Sequence, residues 1–300
     1  MSPTPASGVC ATSARRRGTA ATDVARTQPS RHVGVQPQPP PTAGAADPAP
    51  PASTSRTVTA QEIARMLEMP LLDPCASPVA VAQAAALAEV MGVGRLLCHP
   101  TFVRTAAEAL NGATTGIAAP VGLDCAHASA GTPAGAAKQA QHLVREGATM
   151  IGLVWHASES TTATLTSAIR ATAEAIAPAG AAVRVALDTS AMTSEQIAEA
   201  AREAMNAGAT DFSAGAWCTG RARLLDALRI KQAAPARTVT WAANLRDLDA
   251  VLLARSEGLD FVRGAADLII RQALQREYDG PIPLPWPGHD YLSWTSQLTA

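Results

Sequence analysis

Residues 183–214 read VRVALDTSAMTSEQIAEAAREAMNAGATDFSA, and this stretch decides the fold. Val183 to Asp188 is a short apolar run ending in an acid. Thr193 to Ala207 follows as an Ala-rich amphipathic helix, with Ser194 placed to cap it and Gly208 to stop it. Thr210 to Ala214 is a second apolar run. Strand, helix and strand in that order form one βαβ unit, which requires parallel strands. The ending Ala207-Gly208-Ala209 recurs as Glu146-Gly147-Ala148. Both stand just before a strand, as expected of a repeated unit.

The same alternation runs outward from this stretch. Further strands are expected at Gly94 to Cys98, Thr115 to Ala119, Met150 to Trp155, Thr238 to Ala242 and Asp260 to Arg263. Helices fall between them, among them Pro133 to Glu146 and Arg223 to Ala233. An eighth strand near Met66 to Leu72 would close a barrel. The fold class is α/β, a (β/α)8 TIM barrel, and a doubly wound open sheet is its rival. A barrel of about 250 residues fits a chain of 300.

The flanks differ in composition. Residues 1–57 are rich in Pro, Ala, Ser and Thr and are expected to be a disordered tail. Arg15, Arg16 and Arg17 make it locally basic, but no apolar segment follows, so it does not read as a secretory signal. Residues 58–277 form the expected barrel. Residues 278–300 hold Trp286, Trp294, both tyrosines and four prolines. That tail is expected to pack on the barrel or a partner, or to serve as a lid.

Charge and composition exclude some functions. The net charge is −1 and gives no electrostatic footprint for nucleic acid or an anionic membrane. No apolar run reaches transmembrane length. The five cysteines are scattered and odd in number, and they read as free thiols of a cytoplasmic protein. Cys98 and Cys218 are formal nucleophile candidates, but nothing in the sequence lowers their pKa. No cofactor or metal is expected. His99, His156, Asp124 and Asp188 match no metal spacing. Only two lysines occur, Lys138 and Lys231, among 24 basic residues. A high-GC genome accounts for such a bias, yet any amine chemistry must use one of the two or the N-terminus.

Several segments resemble deoxyribose-phosphate aldolase. Leu67 to Pro74 stands where that family has I-D-H-T-L-L-K-P. Cys98-His99-Pro100-Thr101-Phe102-Val103 is similar to C-V-N-P-x-[YF]-V, and Ala106 to Leu110 follows as A-A-E-A-L. Val185 to Thr189 resembles V-I-I-E-T, and Leu245 to Ala250 resembles I-R-[ST]-x-x-[DE]-A. The resemblance covers about residues 60 to 275 and implies a (β/α)8 barrel.

Measured against it, the departures fall on the chemistry. The imine-forming lysine lies in V-K-T-S-T-G-F, which puts its position on Ser213 or Asp211. The second lysine, in V-K-A-S-G-G-I-R, is matched by Thr240. The proton-relay aspartate is matched by Gly152, and the first-strand aspartate by Glu68. The G-G turn of the phosphate cradle becomes Ala243-Asn244, and the S-S-G turn becomes Ala265-Ala266-Asp267. Lys138 and Lys231 fall on helices, which form the outer ring of a barrel, whereas chemistry sits at the C-terminal strand ends. A reactive lysine also needs a desolvating or cationic setting.

The strand ends supply the candidates. Asp188 is the first choice for acid/base work, against a plain structural hydrogen bond. His99 and His156 are proton carriers or satisfied structural groups, and Asp124 joins them. Trp155, Trp217 and Trp241 would wall a pocket for an apolar or planar ligand, or simply fill space. Ser213, Asn244, Arg246 and Arg263 are further binding candidates. Arg246 and Arg263 suit an anion such as a carboxylate, although Arg246 also suits an ion pair with Asp249. Three functions remain open. One is a repurposed enzyme acting on a small apolar or aromatic carbonyl compound without an imine: a lyase, cyclase or isomerase of specialised biosynthesis. Another is a non-catalytic pseudo-aldolase binding a ligand or partner, and the third is an ordinary deoxyribose-phosphate aldolase. The expected partner is a small molecule, and a homodimer is compatible with the sequence.

Overall fold

The computed structural model describes residues 56–122, 132–156, 162–217 and 222–285. The expected disordered tail, Asp124, Cys218, Trp286 and Trp294 lie outside the described residues.

Eight parallel strands close into a barrel, which excludes the open sheet. They are β2 (Leu67–Leu71), β3 (Arg95–Cys98), β4 (Gly116–Pro120), β5 (Met150–Trp155), β6 (Ala182–Leu187), β7 (Asp211–Ala214), β8 (Thr238–Leu245) and β9 (Phe261–Gly264). They follow in sequence order, and β9 closes on β2 through Leu67 with Val262 and Glu68 with Arg263. The outer ring holds α2 (Pro78–Val90), α3 (Val103–Leu110), α4 (Pro133–Arg145), α5 (Thr162–Ile176), α6 (Ser194–Asn206), α7 (Leu224–Ala233), α8 (Leu248–Ser256) and α9 (Ala266–Asp279). A short α1 (Ala60–Met66) runs straight into β2. The first strand, β1 (Thr57–Val58), pairs antiparallel with β10 (Ile282–Pro283), so the two flanks of the barrel are tied to each other. Ile282 is buried there, whereas Tyr278 is exposed. Among the described residues no helix is long and apolar enough to cross a membrane.

The helices pack closely because alanine covers their inner faces. In α6 the buried positions are Ile197, Ala200, Ala201 and Ala204, one stripe at helical spacing. Its cap is Thr193, one residue before the expected Ser194. Thr193 has extended backbone, and its side chain accepts the N–H of Gln196 while Gln196 returns a bond to the Thr193 N–H.

Strand side chains alternate between two compartments. One parity faces the helices and builds the main core, with Leu96, Ile151, Leu153, Val183, Val185, Phe212, Val239 and Val262. The other parity fills the barrel. Its apolar part is a separate cluster of Leu97, Ala118, Met150, Val154, Ala186, Ala216 and Trp217.

Candidate active site

The N-terminal half of the barrel interior is charged. Glu68 on β2, Arg184 on β6, Asp211 on β7 and Arg263 on β9 are all buried. Arg184 binds both carboxylates. Its Nη1 donates to Glu68 Oε2, its Nε donates to Asp211 Oδ1 at 2.6 Å, and its Nη2 reaches the Thr240 hydroxyl at 3.3 Å. Arg263 donates to Glu68 Oε1 through Nε at 3.0 Å and Nη2 at 2.8 Å. Arg95 completes the group, donating from Nη1 to Asp211 Oδ2 at 2.8 Å with its guanidinium 3.6 Å from the Phe261 ring centre.

A buried charge persists only when paired and hydrogen-bonded, and each carboxylate here has two guanidinium partners. Burial pushes the Glu68 carboxyl up, but Arg184 and Arg263 outweigh it and hold the group down to about 2. Burial likewise lowers Arg95 and Arg263, opposed by Asp211 and Glu68 respectively.

Above this floor the interior turns apolar. Trp217 leaves the end of β7 through Gly215, whose φ of +96° is left-handed, and its indole folds back into the barrel. It lies on the bare face of Gly152. A Cβ there would stand 2.3 Å from the indole Cη2, so the glycine is what admits the ring. Arg263 approaches the same indole, its guanidinium carbon 5.9 Å from the ring centre. Among the described residues, two buried donors in this region have no acceptor, Arg263 Nη1 and Trp217 Nε1.

The rim carries the titratable pair. Asp188 follows β6 and His156 follows β5, and these strands are neighbours. The His156 Nδ1 stands 3.1 Å from Asp188 Oδ2, and the Ser190 hydroxyl donates to Asp188 Oδ1 at 2.7 Å. The His156 and Asp188 side chains are partly open, with exposures of 18% and 16%. A carboxylate on Nδ1 places that ring proton and leaves Nε2 as the basic nitrogen.

The remaining candidates scatter. His99 follows β3, and its Nδ1 accepts the Thr101 N–H at 3.3 Å as a cap, against the Phe102 ring. Partial burial lowers its pKa. Ser213 faces the interior and donates to the Gly215 carbonyl. Trp155 and Trp241, expected as pocket walls, instead face the helices in the main core. The Trp241 indole N–H is spent on the Ala222 carbonyl at 2.7 Å. The physical reason is parity: Trp155 adjoins His156 and Trp241 adjoins Thr240, and neighbours on a strand point to opposite faces. Asn244 and Arg246 are exposed. The ion pair expected between Arg246 and Asp249 is replaced by one from Arg276 to Asp249. Asn244 has φ +52° inside an irregular stretch of β8, so the left-handed turn persists without glycine. Cys98 faces the core, where burial pushes its thiol up to about 12. Asp267 is exposed and faces Arg271.

Sequence reasoning passed over Arg184 and Arg95. A lone arginine inside the apolar run Ala182–Leu187 was the available signal, because a charge in a buried strand must face a partner.

No family model matches the chain. Curated proteins do. The chain is similar to deoxyribose-phosphate aldolases. The enzyme of Trichormus variabilis is 28% identical over 211 residues, covering 67% of this chain and 92% of that one. The enzyme of a Cyanothece species is 26% identical over 213 residues, with the same coverage. Among solved structures, the tetrameric deoxyribose-phosphate aldolase of Aeropyrum pernix matches with a TM-score of 0.64 and 16% identity, over 72% of this chain and 92% of that one. A putative deoxyribose-phosphate aldolase from Coccidioides immitis matches with a TM-score of 0.65 and 18% identity, over 73% and 88%. At these identities the structures establish a shared fold.

Proposed function

We propose that the chain is a divergent deoxyribose-phosphate aldolase relative that acts on a small apolar or aromatic carbonyl compound by acid/base catalysis without an imine. The carrying observation is the placement of Asp188 and His156 as a hydrogen-bonded pair at the C-terminal ends of neighbouring strands, where barrel enzymes do their chemistry. The lysines stand elsewhere. Lys138 is exposed on α4. Lys231 on α7 donates to Asp260 and to the Arg237 carbonyl, beside the N-terminal ends of β8 and β9.

In this reading His156 Nε2 takes the proton from the carbon next to the carbonyl, and Asp188 stabilises the imidazolium that results. The electron pair left on carbon adds to an aldehyde carbon to form a C–C bond, the aldehyde C=O π pair moves onto oxygen, and that oxygen takes the proton back from the imidazolium. In reverse, the base takes the hydroxyl proton, the C–C bond breaks, and the carbanion carbon recovers a proton. Trp217 shapes the apolar wall. A place in specialised biosynthesis is the setting that such divergence favours.

The test is deuterium uptake next to the carbonyl of small aldehydes, ketones and aryl ketones in D2O. Enzyme-dependent exchange is expected, with a fall of about 10²-fold or more in Asp188→Asn and His156→Gln. Two other readings have support. The indole filling the barrel favours a pseudo-aldolase, for which no compound would exchange. The names of the curated relatives favour ordinary cleavage of deoxyribose phosphate, for which a lysine adduct would form.

A further inference from the structure

We propose that the barrel interior binds the carboxylate of a small monoanionic ligand, anchored on Arg263 and covered by Trp217. Arg263 spends Nε and Nη2 on Glu68 and keeps Nη1 unpaired, although it is buried. Trp217 Nε1 is a second buried donor without an acceptor. Leaving a buried N–H unpaired is costly, and more so on a charged group. Among the described residues neither donor has an acceptor, and both belong to side chains in cation–π approach.

Charge selects the class of acceptor. Arg95, Arg184 and Arg263 face Glu68 and Asp211, three cations against two anions, and the group carries one surplus positive charge. One carboxylate neutralises it. A phosphate group carrying about −1.5 to −2 would overshoot. The Trp217 ring that Arg263 approaches belongs to an apolar cluster with Leu97, Ala118, Val154 and Ala186, and such surroundings strengthen an ion pair by excluding water and suit a short apolar remainder. Gly152 gives the indole its seat, and a ligand reaching Arg263 would shift that ring.

The site refines the acid/base reading by adding a carboxylate to the carbonyl compound. Binding is measured without turnover, so either can fail alone. The full chain is titrated with acetate, propionate and pyruvate at fixed ionic strength, with chloride and inorganic phosphate as comparisons. Melting temperature and tryptophan emission are followed. At least one carboxylate is expected to raise the melting temperature saturably, with an affinity about tenfold or more above chloride and phosphate, and to change the emission. Trp217→Phe keeps the packing but removes one donor. It should weaken that carboxylate about fivefold or more and abolish the emission change. Arg263→Gln should remove binding. Should it fail to fold, the Trp217→Phe result decides. Equal response to all five anions, no saturable response, or unchanged affinity in Trp217→Phe would overturn the site.

Discussion

The two halves of the barrel interior meet burial in opposite ways. The N-terminal half is a charged floor, in which Glu68, Asp211, Arg95, Arg184 and Arg263 are locked together. The C-terminal half is apolar and plugged by Trp217, with Asp188, Ser190 and His156 at a partly open rim. In a (β/α)8 barrel the first end serves stability and the second serves chemistry. The difference separates two kinds of ionisable group on one set of strands. Apart from Arg263, whose unpaired Nη1 is the proposed ligand anchor, floor charges should govern folding and spare local chemistry, whereas rim groups should govern chemistry and spare folding.

The harshest attack on that division is Arg184→Met. It leaves Glu68 with one guanidinium and Asp211 with one, both buried, and should destabilise the fold by about 3–5 kcal/mol in chemical denaturation. A cost below about 1 kcal/mol would place the floor outside the stabilising network. Gly152→Ala comes next. Its new methyl meets the Trp217 ring at 2.3 Å, with an expected loss of about 1–3 kcal/mol. Combining it with Trp217→Leu should recover most of that loss, and failure to recover would show that the ring is not seated on the glycine.

Acid tests the floor as a whole. The folded-state pKa of Glu68 lies below its ordinary value. Its stabilising contribution is therefore complete above the ordinary value, near 4.3, and is lost as pH falls from there toward about 2. Denaturation midpoints measured across that window should fall steeply, and Glu68→Gln should flatten the fall. The smallest effect belongs to the rim. Ser190→Ala removes one hydrogen bond from a partly exposed acid and should cost about 1 kcal/mol or less. A larger loss would make the rim structural.

The sequence carried the barrel further than the site. Alternating apolar runs and Gly-Ala punctuation located the eight barrel strands, including Leu67–Leu71, because parallel buried strands read as short apolar blocks, whereas the β1 and β10 pair was not foreseen. The one strand that runs well past its expected end is β8, whose turn through Asn244 continues to Leu245. The site was legible in part. Asp188 and His156 fell together because they follow neighbouring strands. Trp155 and Trp241 misled because residue type was read without strand parity, and Arg184 was missed because the run around it was read as uniformly apolar. No local signal in the sequence announces that Trp217 returns into the barrel, since that depends on a turn at Gly215 and on space at Gly152, far away in the chain.

The chemistry proposed for this barrel proceeds without an imine. It is tested most directly by incubating the chain with 2-deoxyribose 5-phosphate, and separately with acetaldehyde, in the presence of borohydride, then locating any adduct by mass spectrometry. Lys138 and Lys231 are expected to stay unmodified at concentrations that saturate an aldolase. Stoichiometric, substrate-dependent reduction onto either lysine would contradict it.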